Sequence, residues 1–184
     1  ITKSRDTSNA WRIWHSETGK NKYLGFDTSS ASSYNNYWST SEPDSSAFGV
    51  WNASGGANND GDMVAYCFAP SEICSVGSYL GNGSADGSFV PLPFAPKWVM
   101  VKGTGSSTAW RIWDSEREPN NVKDNSLHAN DNQTETHYGS DEVDFLSNGF
   151  KLRGTGSYQN STGATYVYLA FSQHPFSLNG GLAR

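Results

Sequence analysis

Two groups of residues in this chain have the types and spacing to do recognition chemistry. The first is a Trp-Arg-Ile-Trp run that occurs twice, at Trp11 to Trp14 and again at Trp110 to Trp113. Side chains alternate along an extended backbone, so Trp11 and Ile13 point one way and Arg12 and Trp14 the other. The same holds for Trp110 and Ile112 against Arg111 and Trp113. A guanidinium beside an aromatic ring either stacks on a sugar or stabilises its face of the sheet by cation–π contact as a structural Arg–Trp pair, with Glu17 or Glu116 as its charge partner. Because the pair recurs at the same spacing, the structural role is the favoured one for Trp11, Arg12, Trp14, Trp110, Arg111 and Trp113.

The second group lies in the polar stretch TSSASSYNNYWSTS, from Thr28 to Ser41. Tyr34, Asn35, Asn36, Tyr37 and Trp38 combine rigid rings that stack on sugar faces with amides that bond hydroxyls, the mixture that recognition loops favour. An exposed ligand-binding loop is expected here. The competing reading is that the rings fold back over the sheet or meet a neighbouring subunit. His137 and Tyr138, in the analogous stretch of the second half, join the candidate ligand-binding set.

Reactive chemistry finds less support. His128, His137 and Asp141 match no standard zinc spacing. The run Asn58-Asn59-Asp60-Gly61-Asp62 has the look of a calcium loop but lacks its bidentate glutamate, and reads as a turn. Glu116 and Asp144 could be paired on paper for glycoside hydrolysis, but nothing in the sequence sets their separation. There is no Gly-x-Ser-x-Gly elbow, no HExxH and no phosphate loop. No catalytic residue, metal or cofactor is therefore expected. Cys67, in the apolar run Ala65 to Phe68, reads as a small core residue, and its pairing with Cys74 is left open. The sequons at Asn52, Asn82, Asn132 and Asn160 are accounted for by the abundance of Asn, Ser and Thr.

These residues must be positioned by strands. Charged residues make up only 17% of the 184 and aromatic ones 14%, while glycine numbers 19, so the chain has rings for a core and turns to punctuate it. No segment keeps a helical period over three turns. The net charge of −5 comes with no basic run, which argues against a nucleic-acid partner. No apolar stretch approaches the roughly 20 residues that span a bilayer, so membrane insertion is not expected.

An internal repeat organises the whole. KSRDTSNAWRIWHSE from Lys3 lies over KGTGSSTAWRIWDSE from Lys102 at an offset of 99, and Met63 to Phe68 lies over Tyr166 to Phe171 at 103. The difference must be taken up in the loops between. The expectation is all-β, with two tandem β-sandwich or jelly-roll-like units, residues 1–75 and 76–184. Gly77 to Pro96 has no counterpart before Ile1. The first unit therefore reads as lacking its opening strands, which would lie upstream or come from a neighbour. Val143 to Leu152 reads as a hairpin in which Asn148-Gly149 supply the positive-φ positions. The closing strand at Tyr166 to Phe171 is apolar on both faces and is expected to be covered on both.

At these residues the chain resembles a known family. Gly81-Asn82-Gly83, Phe94 to Lys102, Asp114-Ser115-Glu116-Arg117, Ser147-Asn148-Gly149-Phe150 and Tyr166 to Phe171 are similar to the motifs of a domain of unknown function that recurs in tail-fibre-like structural proteins of marine bacteriophages. The first half departs from the pattern where His15-Ser16-Glu17-Thr18-Gly19 replaces the Asp and Arg. The resemblance implies a domain at the virion surface, in an extracellular tail fibre or tail-associated appendage. Its loops would face a host-cell glycan or receptor, and its partners would be other virion proteins and further copies of itself. A purely architectural role, as capsid decoration or tail adaptor, is the alternative, and a polysaccharide depolymerase a third.

Overall fold

The computed structural model describes residues 1–30, 33–34, 37–38, 42–51, 58, 61–137 and 139–174. Among them every regular element is a strand: β1 (Thr2–Ser4), β2 (Arg12–Ile13), β3 (Lys22–Gly25), β4 (Ser33–Tyr34), β5 (Met63–Ala65), β6 (Cys74–Leu80), β7 (Phe89–Pro91), β8 (Pro96–Gly103), β9 (Arg111–Asp114), β10 (Asn125–His128), β11 (Thr136–His137), β12 (Val143–Leu146), β13 (Gly149–Leu152) and β14 (Thr165–Ser172). They form a five-stranded sheet ordered β4-β3-β2-β1-β5, a six-stranded sheet ordered β11-β10-β9-β8-β14-β6 and a three-stranded sheet ordered β12-β13-β7. All the pairings are antiparallel.

The six-stranded sheet is the middle layer, and period-two alternation gives each of its faces a separate core. Val99, Val101, Trp113, Tyr166, Tyr168 and Ala170 face the three-stranded sheet, where Val90, Val143, Phe150 and Leu152 meet them. The alternate residues Trp98, Met100, Ile112, Val167 and Leu169 face the five-stranded sheet and pack with Ile13, Leu24 and Phe26. β14 thus reads as a continuous apolar run because each of its faces packs into a core, with Leu169 and Phe171 partly exposed. Seven of the fully buried side chains, Val99, Val101, Trp113, Val143, Phe150, Leu152 and Tyr166, belong to the first core. Burial of each contributes about 1.5–3 kcal/mol.

The registers of the two larger sheets run in step. Thr2 opposes Arg12 as Val101 opposes Arg111, and Lys3 opposes Val64 as Lys102 opposes Val167. Ile13 opposes Leu24 as Ile112 opposes Leu127, and Tyr23 opposes Ser33 as Ser126 opposes Thr136. The extra length in the second half falls between Ile112 and Leu127, in the connection after the second Trp-Arg-Ile-Trp run.

Among the described residues the first half has no counterpart of β6 or of the three-stranded sheet β12-β13-β7. β6 flanks β14, and β7 completes the three-stranded sheet, whereas among the described residues β5 is the edge strand of its sheet. The rear of the five-stranded sheet is backed by Tyr37, Trp38 and Val50 packed on Trp14 and Tyr23.

Two smaller expectations are corrected. Cys67 is exposed rather than in the core, because among the described residues no layer covers the face it occupies on β5's continuation; both cysteines are free. In the β12–β13 hairpin only Gly149 has a positive φ, at 152°, and Asn148 does not. A Cβ at Gly149 would lie 2.2 Å from the Val90 carbonyl oxygen, so close strand approach as well as dihedral freedom requires glycine here.

Candidate functional site

The two arginines of the repeated run lie over aromatic rings, each with its own arrangement. The Arg12 guanidinium lies 4.6 Å from the Tyr23 ring centroid and 5.2 Å from that of Tyr37. Arg111 lies 4.1 Å from the Tyr158 ring, and its Nε is 2.9 Å from Asp141 Oδ2. The latter pair is sealed, with side-chain exposures of 1% and 0%. Burial pushes the Asp141 carboxyl above its ordinary pKa, against the opposing pull of Arg111. Trp110 and Trp11 flank Phe26 at the layer interface, and Trp110 Nε1 donates to the Gly25 carbonyl at 2.8 Å, tying the layers together. Trp113 lies in the first core and Trp14 in the small cluster behind the five-stranded sheet. All six residues of the repeated runs are thus engaged in packing.

The exposed-loop expectation is corrected for the two rings on which it rested most. Tyr37 and Trp38 are buried, at 7% and 4% exposure, and Trp38 Nε1 donates to the Lys22 carbonyl at 3.1 Å. The physical reason is the uncovered rear face of the five-stranded sheet, which would otherwise leave Trp14 and Tyr23 in water. Asn35, Asn36 and Tyr138 lie outside the described residues; Tyr34 is in β4. His137 is exposed, with its Nδ1 2.7 Å from Asp124.

The paper metal site is dispersed among other partners. His128 Nδ1 pairs with Asp131 at 2.8 Å, His137 with Asp124, and Asp141 with Arg111. The carboxylates imagined for glycoside hydrolysis are likewise occupied, Glu116 by Lys97 and Asp144 by Arg153.

The Asp-Ser-Glu-Arg segment is a turn clamp. Asp114 Oδ1 accepts the amides of Glu116 and Arg117 at 3.0 and 2.9 Å, and Arg117 Nε bonds Oδ2 at 2.6 Å. In the first half His15 does the same work, its Nδ1 accepting the Glu17 amide at 3.1 Å. That acceptor role needs a neutral ring, and burial, which lowers the His15 pKa, supplies one. The sequence departure at His15 is therefore a substitution of one acceptor for another.

A second device is shared as well. Lys102 Nζ is buried and donates to the carbonyls of Ser29, Gly103 and Ser106 at 3.2, 3.0 and 3.4 Å, and Lys3 Nζ donates to those of Ser4 and Thr7 at 2.9 and 3.0 Å. Each lysine gathers the carbonyls of the turn that follows it, and Lys102 also reaches across to the other layer.

A cleft with room for a ligand was missed by sequence reasoning. A cleft of about 550 Å³ opens between the five- and six-stranded sheets beside β5. Tyr66 and Phe68 on its wall are 50% and 42% exposed, and Phe48 adds a third accessible ring. His15, Ser16 and Asp44 bring polar groups to the lining. Asp44 is held below the usual carboxylate pKa by the Ser46 hydroxyl and the Ser46 and Ala47 amides, so it stays ionised. Met63 to Phe68 is apolar throughout and alternates no more clearly than β14, so only the position of β5 at the edge of its sheet among the described residues could have pointed to this opening.

Fold and site together define a layered all-β protein with an aromatic-walled surface cleft and an open sheet edge. The chain belongs to the family described as domain of unknown function DUF7483, which it matches over residues 1–175. No curated protein and no solved structure matches it.

Proposed function

We propose that the chain is a non-enzymatic module of a bacteriophage virion appendage, tail fibre or tail-associated, whose cleft receives a host-surface glycan. The observation that carries the glycan reading is the pair of accessible rings, Tyr66 and Phe68, on one wall of a cleft that also presents Asp44, His15 and Ser16. Ring faces stack on the C–H face of a pyranose, while a carboxylate and a hydroxyl accept and donate to its hydroxyls. The virion setting is supported by the resemblance of Gly81-Asn82-Gly83, Asp114 to Arg117 and the closing strand to marine-phage structural proteins. Repetition of such modules around a homo-oligomeric appendage would turn weak single contacts into firm attachment.

The tandem reading is part of the same proposal. Residues 1–75 and 76–184 derive from one sandwich-type unit, of jelly-roll-like ancestry, and the matching registers and the paired lysine devices support it.

The test is titration of the purified chain with a panel of bacterial surface oligosaccharides, followed by NMR. Binding is expected at millimolar to micromolar strength, with Tyr66→Ala and Phe68→Ala together weakening it by about tenfold or more. Binding that survives both changes, or a panel without a ligand, would overturn the glycan reading. The purely architectural reading would then lead. It is favoured in its own right by the burial of Tyr37 and Trp38, which turns the expected recognition loop into packing.

A further inference from the structure

β14 and β5 hold equivalent places in their sheets, yet only β14 is flanked on both sides. β6 pairs with β14 from Cys74 opposite Phe171 to Leu80 opposite Thr165. β5 pairs with β1 alone among the described residues. Its inward groups are known: Arg5 N donates to the Asp62 carbonyl and Tyr66 N to the Ile1 carbonyl, both at 2.8 Å. Alternation therefore turns the amides and carbonyls of Met63, Ala65 and Cys67 outward, as those of Tyr166, Tyr168 and Ala170 are turned toward β6. Ala65 and Cys67 are exposed.

We infer that this edge accepts one further strand, antiparallel, donated by another polypeptide and similar in character to β6. β-strand addition of this kind draws its affinity from main-chain hydrogen bonds and its choice of partner from side-chain fit. The edge positions Met63, Ala65 and Cys67 are uncharged, which matches an uncharged strand such as Cys74–Leu80. The edge is also continuous with an interface already formed, because Phe68, next along β5, meets Phe171 at a ring separation of 6.0 Å. By the β14 register, the incoming strand sets its equivalent of Ser75 opposite Cys67, of Gly77 opposite Ala65 and of Tyr79 opposite Met63. One difference makes the site addressable. A Cβ at Gly77 would lie 2.8 Å from the Tyr168 hydroxyl, so β14 tolerates only glycine there, whereas the counterpart of Tyr168 on β5 is Ala65.

The probe is a synthetic peptide of residues 72–82 carrying Cys74→Ser and Gly77→Val, which fits β5 but cannot displace β6 from β14. With the unaltered chain, the expected result is slowed amide exchange at Ala65 and Cys67, with β14 unchanged. Under air oxidation, adding Ser75→Cys to the peptide should yield a disulfide with Cys67, since directly opposed residues sit about 5.5 Å apart at Cα. Adding Tyr79→Cys instead should not, because four residues of strand place that thiol roughly 13 Å away. Ala65→Pro in the chain, which removes one outward amide, should weaken the peptide by about tenfold without changing the melting temperature. No protection at Ala65 and Cys67, or cross-linking that ignores thiol position, would overturn the inference. So would protection of those amides by self-association before peptide is added, which would assign the edge to a second copy. Glycan titration is read independently, so either proposal can fail alone.

Discussion

Removing the carboxylate of Asp141 should be among the most destabilising single changes in the molecule. Arg111 and Asp141 are 1% and 0% exposed and 2.9 Å apart at Nε and Oδ2. With charge centres about 4 Å apart and an effective dielectric near 20, their attraction is about 4 kcal/mol, which offsets part of the cost of burying both. Asp141→Ala leaves Arg111 buried and without its counter-charge, so a loss of about 3–5 kcal/mol is expected. Urea unfolding followed by both fluorescence and circular dichroism measures it, with coincident transitions as the check on two-state behaviour. Arg111→Met with Asp141→Leu should recover most of the loss, because apolar replacements of similar size need no counter-charge. The pH dependence gives a second reading. Burial outweighs the Arg111 attraction and raises the folded-state pKa of Asp141, so stability from this group is full below the unfolded value and falls as pH rises through the folded one. The loss on Asp141→Ala is the cost of stranding Arg111 and not the net worth of the pair. A loss under about 1 kcal/mol for Asp141→Ala, or a double variant no better than the single, would refute the reasoning.

Trp38→Ala should cost about 3–5 kcal/mol, seen as a lower urea midpoint, since the indole is core and not surface. Lys102 has its pKa lowered to about 8 by burial, below the ordinary 10.5. Between those values the unfolded chain binds the extra proton, so stability relative to a Lys102→Met variant should rise with pH, measured by denaturation at several pH values. Gly149→Ala should destabilise by more than about 1 kcal/mol through strain at positive φ and collision with the Val90 carbonyl, measured by thermal melting.

The strands were legible wherever a periodic pattern carried them. The paired Trp-Arg-Ile-Trp runs, the Asn148-Gly149 hairpin and the two-faced closing strand all lie where the spacing put them, as β2 and β9, the β12–β13 turn and β14. Arg12 and Arg111 lie over the rings of Tyr23 and Tyr158. What could not be read was the covering of faces. Tyr37 and Trp38 looked exposed because their neighbours are Ser and Asn; nothing local records that Trp14 and Tyr23 behind β2 and β3 take those rings as their cover. Cys67 looked buried for the converse reason, since its run matches β14 while the layer that buries β14 has no equivalent over β5. The cleft follows from the same missing cover, a property of how sheets stack and not of any one segment.

The two-sided burial of the six-stranded sheet also sets how the molecule comes apart. Its faces belong to two different cores, so neither outer layer can peel away without wetting Met100, Val167 and Leu169 on one side or Val99, Val101 and Tyr166 on the other. β8 and β14 should therefore hold the slowest-exchanging amides and open only with global unfolding. A cut between residues 75 and 76 would free a second half with a bare apolar sheet face and an ammonium at Lys102 deprived of its Ser29 carbonyl. A chimera that swaps one half must therefore carry across the facing residues of the other, Ile13, Leu24 and Phe26 on one side and Met100, Val167 and Leu169 on the other.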